Sequence, residues 1–265
     1  MNKRFFLIFF FLISSAFAQS NKFGDNKEVG KFISINGIII YYETYGVGEP
    51  LLLLHGNGQS IIDFENQIPE FSKLFKVIAV DSRAQGKSTD SKKELSYDLM
   101  ADDMNELLDS LHLDSVNVVG WSDGGNTGLI IAMKYPGKVK KLAVMGANLY
   151  PDKTSVNIKD LREARRIKLL LSVLAFFSNQ AEHDKKLIKM LLKYPKINPK
   201  DLRNVKVPTL VMAGDSDIIR ESHTKLIANT IPNAQLVIFP NSSHFIPQEN
   251  PNLFNQTVLN FLANP

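Results

Sequence analysis

No cysteine occurs anywhere in the chain. Disulfide staples, thiolate nucleophiles, cysteine-ligated metals and a lipidated cysteine are therefore excluded. Histidine is scarce too: His55, His112, His183, His223 and His244 form no i, i+4 pair and no H-E-x-x-H run, so no metal-ligand set is visible and no cofactor is expected. Excess charge of either sign is also lacking. Lysine and arginine number 31 against 27 acidic residues, a net of +4, too small to suggest a nucleic-acid or polyanion partner.

Long apolar runs are missing with one exception, the uninterrupted Phe5 to Ile13 near the N-terminus. At nine residues it covers about half of the roughly 20 needed to cross a bilayer as a helix. It follows Lys3 and Arg4 and is closed by Ala16-Phe17-Ala18, the pattern of a cleaved secretory leader. The expectation is export to a periplasm or the medium, with residues 1–18 removed and no membrane partner afterwards. The remaining 265 − 18 = 247 residues suffice for one domain with a sizeable core.

Phe32 to Ile35 and Ile38 to Tyr45 flank Asn36-Gly37, which reads as a β-hairpin with a type I′ turn. Short apolar runs then alternate with helical patterns: Leu51 to Leu54, Val77 to Val80, Val116 to Val119, Leu142 to Met145, Leu210 to Met212 and Leu236 to Phe239. They show little alternation, as expected for a mostly parallel sheet buried on both faces. Helices are predicted near Ile61 to Phe75, Tyr97 to Leu111, Gly124 to Tyr135, Glu221 to Ile231 and Pro251 to Leu262. In the second of these, Tyr97, Met100, Met104, Leu107, Leu108 and Leu111 form a core stripe with acidic residues between them. The rhythm predicts an α/β fold, doubly wound with an antiparallel N-terminal hairpin. From about residue 149 to 205 it lapses into helical runs alone, read as an insertion covering one edge of the sheet.

Gly120-Trp121-Ser122-Asp123-Gly124 fits G-x-S-x-G, with a strand leading in and a helix leading out. A serine on that sharp turn has a strained backbone and an exposed hydroxyl, and small neighbours are needed around it. Ser122 is thus the candidate nucleophile. A base and its orienting carboxylate should follow in the order Ser, acid, His. His244 in FPNSSHF is the histidine placed soon after the last strand, and MAGDSDIIR offers Asp215 and Asp217 as the acid. Two other glycine-rich stretches fail as nucleotide loops: GKS at 86 to 88 has Asp81 where a phosphate loop needs glycine, and GNGQSI at 56 to 61 ends in Ile61.

HGNG at 55 to 58, DSRAQGKS at 81 to 88, GWSDGG at 120 to 125, GDSD at 214 to 217 and SHF at 243 to 245 together resemble the α/β-hydrolase fold family across nearly the whole chain after residue 18. GWSDGG with KYP at 134 to 136 and GANLY at 146 to 150 further resembles its biphenyl hydrolase-like branch of α-amino-acid ester hydrolases. The resemblance implies Asp217 rather than Asp215 as the acid, a structural His55, and backbone N–H donors on Asn57 and Asp123 as the oxyanion hole. It also disfavours haloalkane or epoxide opening, whose enzymes in this fold carry aspartate at the nucleophile position. DSRAQGKS departs from the family form by placing Ala84 where glycine is usual.

Asp123 poses an electrostatic problem. At an effective dielectric near 20, a carboxylate roughly 6 Å from a developing oxyanion raises its energy by about 3 kcal/mol. For a neutral ester this is a handicap; a substrate with an ammonium group near the scissile carbonyl would pair with it. Asp123 is therefore a candidate substrate contact, the competing reading being a carboxylate that merely caps its own helix N-terminus. The helical insertion of residues 149–205 is expected to form a lid over this site, with Arg162, Arg165, Arg166 and Lys168 as its charged side. Leu169, Leu170, Val173, Leu174, Phe176 and Phe177 either pack it or line an apolar acyl or leaving-group pocket, with Phe176 and Phe177 the candidate contacts. The expected activity is cleavage of small carboxylic esters through an acyl-enzyme. Lactone, amide and acyl-transfer chemistry on the same triad, and a non-catalytic binding module, are the alternatives.

Overall fold

The computed structural model describes residues 22–263, so the predicted leader lies outside the described residues. One sheet of eight strands organises the fold: β1 (Gly30–Ile35), β2 (Ile38–Tyr45), β3 (Glu49–Leu54), β4 (Phe75–Val80), β5 (Val116–Trp121), β6 (Val139–Met145), β7 (Thr209–Gly214) and β8 (Ala234–Phe239), in the order β1-β2-β4-β3-β5-β6-β7-β8. The β1–β2 and β2–β4 pairs are antiparallel and every later pair is parallel. At the hairpin, Asn36 and Gly37 have φ of 46° and 75°, the two positive values a type I′ turn demands.

The continuous apolar runs follow from two cores. Leu52, Leu54, Ile78, Val80, Val116 and Val118 face one layer, and Leu51, Leu53, Val77, Ala79, Val119 and Trp121 the other. Both faces are dry, so neither alternate set is polar. The helices are α1 (Ile68–Phe71), α2 (Tyr97–Ser110), α3 (Asp123–Lys134), α4 (Ile158–Leu174), α5 (Asn179–Lys193), α6 (Glu221–Thr230), α7 (Ile246–Glu249) and α8 (Pro251–Ala263).

Two expectations are corrected. The helix predicted over 61 to 75 is broken into a 3-10 turn at Ile61–Phe64 and the short α1; Pro69 has no N–H to give to residue 65, so it opens a new helix instead of continuing one. Within α2, Asp103, one of the acidic residues between the stripe positions, is itself fully buried. It accepts from Arg83 Nε and Nη2, both at 2.6 Å, and from Asn36 Nδ2 at 3.1 Å, a fork of donors that offsets the desolvation of the pair.

The insertion, α4 and α5 with a 3-10 turn at Pro199–Asn204, also does not cover an edge. The strands it joins, β6 and β7, are interior neighbours, whereas the edges are β1 and β8. Its contacts reach the loops beyond the carboxyl ends of β4 and β7. Lys186 pairs with Asp90 at 2.9 Å and Lys193 with Glu94 at 2.6 Å. The Asn157 N–H donates to the Ile218 carbonyl at 2.9 Å, beside a lone bridge between Val156 and Ile219.

Candidate active site

Ser122 sits between the buried β5 and the first residue of α3, with φ 57° and ψ −113°. An L-residue held at positive φ costs on the order of 1 kcal/mol or more. The strain is held by the Ser122 N–H donating to the Met145 carbonyl at 2.7 Å and by the Ser122 carbonyl accepting from the Asn126 N–H at 3.0 Å. The turn closes only because the residues two positions before and after Ser122 lack side chains. A Cβ on Gly124 would lie 1.9 Å from the Leu54 carbonyl oxygen, and one on Gly120 2.3 Å from that of Gly124.

Loops after the last two strands deliver the partners. His244 Nε2 is 2.9 Å from Ser122 Oγ and its Nδ1 is 2.7 Å from Asp217 Oδ1. Trp121 Nε1 donates to the His244 carbonyl at 2.9 Å, fastening the loop to the strand that carries the serine. Asp217 Oδ1 also accepts from the Ile219 N–H at 2.8 Å, while its buried Oδ2 has no partner among the described residues. Burial works against a charged imidazole, but the Asp217 carboxylate, together with those of Asp123 and Asp160, outweighs it and holds the His244 pKa above its ordinary value.

The two acids that GDSD left open are separated by geometry. Asp215 accepts from the backbone N–H groups of Asn241 and Ser242, closing the turn that carries His244. His55 is likewise structural in its contacts: Nδ1 donates to the Gly56 carbonyl at 2.8 Å and Nε2 accepts from the Ser82 N–H at 3.0 Å.

Asn57 and Asp123 meet across the mouth of the turn. Asn57 Nδ2 donates to Asp123 Oδ2 at 2.8 Å, and the Tyr97 hydroxyl donates to Asp123 Oδ1 at 2.6 Å. Asp123 begins α3, yet its side chain is aimed at these two neutral donors. Burial pushes its pKa up to about 6 against both hydrogen bonds. The backbone N–H groups of Asn57 and Asp123 have no protein acceptor among the described residues. The loop holding Asn57 runs against the nucleophile, since a Cβ on Gly56 would sit 3.2 Å from Ser122 Cβ.

Tyr97 is the participant that sequence reasoning missed, having been absorbed into the core stripe of α2. Its ring is buried as that stripe requires, and nothing in the helical spacing tells where its hydroxyl ends. Phe176 and Phe177 are the opposite case. They are 85% and 86% exposed, because α4 buries a stripe around Leu171 against α5 and leaves its carboxyl end in solvent. Among the described residues no group of three or more histidine and carboxylate side chains converges to hold a metal ion.

The sequence profile of the alpha/beta hydrolase fold matches residues 49–171, and the eight-stranded, mostly parallel sheet with its antiparallel N-terminal hairpin is that fold. Human "Serine hydrolase BPHL" is 28% identical over 247 residues, spanning 87% of this chain and 85% of that protein. The 2-hydroxy-6-oxononadienedioate/2-hydroxy-6-oxononatrienedioate hydrolase of Escherichia coli is 26% identical, spanning 94% and 97%. Among solved structures, a thermophilic esterase from Thermogutta terrifontis superposes with a TM-score of 0.69 at 25% identity, over 88% of this chain and 97% of that one. A hydrolase from Pseudomonas aeruginosa reaches 0.75 at 22% identity, over 90% and 100%. This protein is accordingly a hydrolase of the alpha/beta fold.

Proposed function

We propose that the chain is a serine hydrolase of small carboxylic esters that favours esters of α-amino acids. The observation that carries the reading is the unbroken line from Ser122 Oγ through the His244 ring to Asp217, at 2.9 and 2.7 Å. As Ser122 Oγ attacks the ester carbonyl, His244 Nε2 takes its proton and Asp217 holds the resulting imidazolium. The N–H groups of Asn57 and Asp123 receive the oxyanion, a donor pair of which each member is typically worth about 3 kcal/mol. His244 then returns the proton to the departing alcohol. Water, deprotonated by the same imidazole, cleaves the acyl-enzyme and regenerates Ser122.

Preference for a cationic acyl group rests on Asp123. Its carboxylate is buried with two neutral donors and, among the described residues, no cation bonded to it, so an α-ammonium supplies the missing counter-charge. Dianionic substrates are disfavoured by the same carboxylate, through the repulsion of about 3 kcal/mol that a nearby negative charge imposes. Export belongs to the same reading, supported by Lys3-Arg4, the apolar run and Ala16-Phe17-Ala18. Native protein recovered from the cytosol with Met1 in place would remove that part.

A fluorophosphonate probe tests the core of the reading. It should label the wild-type chain and not Ser122→Ala; absence of labelling in the wild type would favour a binding module. An ester panel varying acyl length and amine substitution then tests the preference. Slower turnover of free-amine esters than of their N-acetylated counterparts would refute it.

A further inference from the structure

The outer face of α4 is divided along its length. Arg162, Arg165 and Arg166 occupy its first half, and Leu169, Leu170 and Val173 its second, all exposed. The spacing 162, 166, 169, 173 places the two halves on one side of the helix. Ala164, Ile167 and Leu171 pack the opposite side against Ala181, Ile188, Leu191 and Leu192 of α5 in a small core separate from the two that flank the sheet. Beyond the helix end, Phe176 and Phe177 occupy the turn into α5.

Exposure in this stretch is 70% at Leu169, 54% at Leu170, 56% at Val173 and above 80% at both phenylalanines. Together these side chains show water roughly 700 Å² of largely apolar surface, more than the ~300–600 Å² of the largest patch on a typical monomer. The patch stands at the tip of the helical hairpin formed by α4 and α5. Arg165 and Arg166 lie about 10–13 Å back along the axis from that tip.

We propose that the α4–α5 tip docks on an anionic lipid surface, with Phe176, Phe177, Leu169, Leu170 and Val173 entering the acyl boundary and Arg162, Arg165 and Arg166 meeting the headgroup charge. The dimensions agree with an interfacial element, whose apolar part sinks roughly 5–10 Å while long basic side chains stay at the surface. Charge complementarity selects this occupant over a second copy of the chain. The segment Ile158–Leu174 carries five basic residues (Lys159, Arg162, Arg165, Arg166, Lys168) against two acidic ones (Asp160, Glu163), and a self-complementary contact would bring two such basic collars together. The inference is independent of the ester chemistry and departs from the expectation that the chain has no membrane partner.

The absence of cysteine makes the test direct, because one introduced cysteine takes a dye at one site. Full-length Phe177→Cys and Val47→Cys, the latter 83% exposed in the turn between β2 and β3 at the opposite end of the parallel strands, are labelled with an environment-sensitive fluorophore. Each is then titrated with phosphatidylcholine vesicles with and without phosphatidylglycerol. The expected result is a blue shift at position 177 on the anionic vesicles, quenched by acyl-chain spin labels, and none at position 47. In a Phe177→Cys chain also carrying Arg162→Gln, Arg165→Gln and Arg166→Gln, partitioning should weaken by about 100-fold, the cumulative effect of three basic residues near an anionic surface. No shift at 177, an equal shift at both positions, or equal response to neutral and anionic vesicles would overturn the proposal. So would a shift that grows with protein concentration in the absence of lipid, which would assign the patch to a second copy.

Discussion

Adding one methyl group at Gly146 should disable the active site while leaving the fold in place. Gly146 follows β6 with φ 63°, and a Cβ there would stand 2.5 Å from His244 Cε1 and 2.6 Å from Nδ1. Carbon atoms in contact prefer about 3.5–4.0 Å, so in Gly146→Ala the imidazole must withdraw by roughly 1 Å. Its bonds of 2.7 Å to Asp217 and 2.9 Å to Ser122 cannot both survive such a shift. Misplacement of a reacting group by about that distance costs on the order of 100-fold in rate. With the orienting bond also weakened, a loss of 100- to 1,000-fold in kcat/KM is expected, about 3–4 kcal/mol of transition-state stabilisation. The left-handed backbone adds about 1–2 kcal/mol of destabilisation for alanine, which lowers the melting temperature without unfolding the protein at 25 °C. Steady-state kinetics on an activated ester should place the loss mainly in kcat, with slower fluorophosphonate labelling. Gly137→Ala, where a Cβ meets nothing within 4 Å, is the control. A Gly146→Ala enzyme folded by circular dichroism and within threefold of wild-type kcat/KM would refute the placement of His244.

For Asp123→Asn, the ratio of kcat/KM on a free amino-acid ester to that on its N-acetylated form should fall by at least tenfold; equal losses on both would remove the selective role. The pH profile on the acetylated ester should drop on the acid side of an ionisation lying above the usual imidazole range, because the general base acts neutral and Asp217 favours its charged form. On the free-amine ester a further fall is expected as pH decreases through about 6, where Asp123 gains its proton and loses the charge that attracts an ammonium. Asp103→Ala should destabilise the fold by about 3–5 kcal/mol in urea, since it leaves Arg83 buried without its counter-ion; a change below 1 kcal/mol would show the pair is not dry. Ala84→Gly should stabilise by about 1 kcal/mol, as Ala84 is held at φ 62°, and a lowered urea midpoint would contradict that.

What could be read from the chain by itself was whatever a few adjacent residues decide. Asn36-Gly37 dictates its turn because only residues tolerant of positive φ serve there. Gly120, Ser122 and Gly124 mark the candidate nucleophile because the strand-to-helix turn admits no side chain two positions to either side of the serine. The dry strands are legible because burial on both faces removes alternation. The family resemblance names Asp217, and the fold supplies the reason: Asp215 is pulled back to close the next turn while Asp217 meets an imidazole 27 positions away. Only the packed chain could send the Tyr97 hydroxyl to Asp123 or bury Asp103 against Arg83, because a helical stripe gives the direction of a side chain but not what waits at its end. Apolarity in the sequence leaves Phe176 and Phe177 open to either packing or a pocket, and only the tertiary structure exposes them: α4 has one side to bury against α5, and those two residues lie past its end.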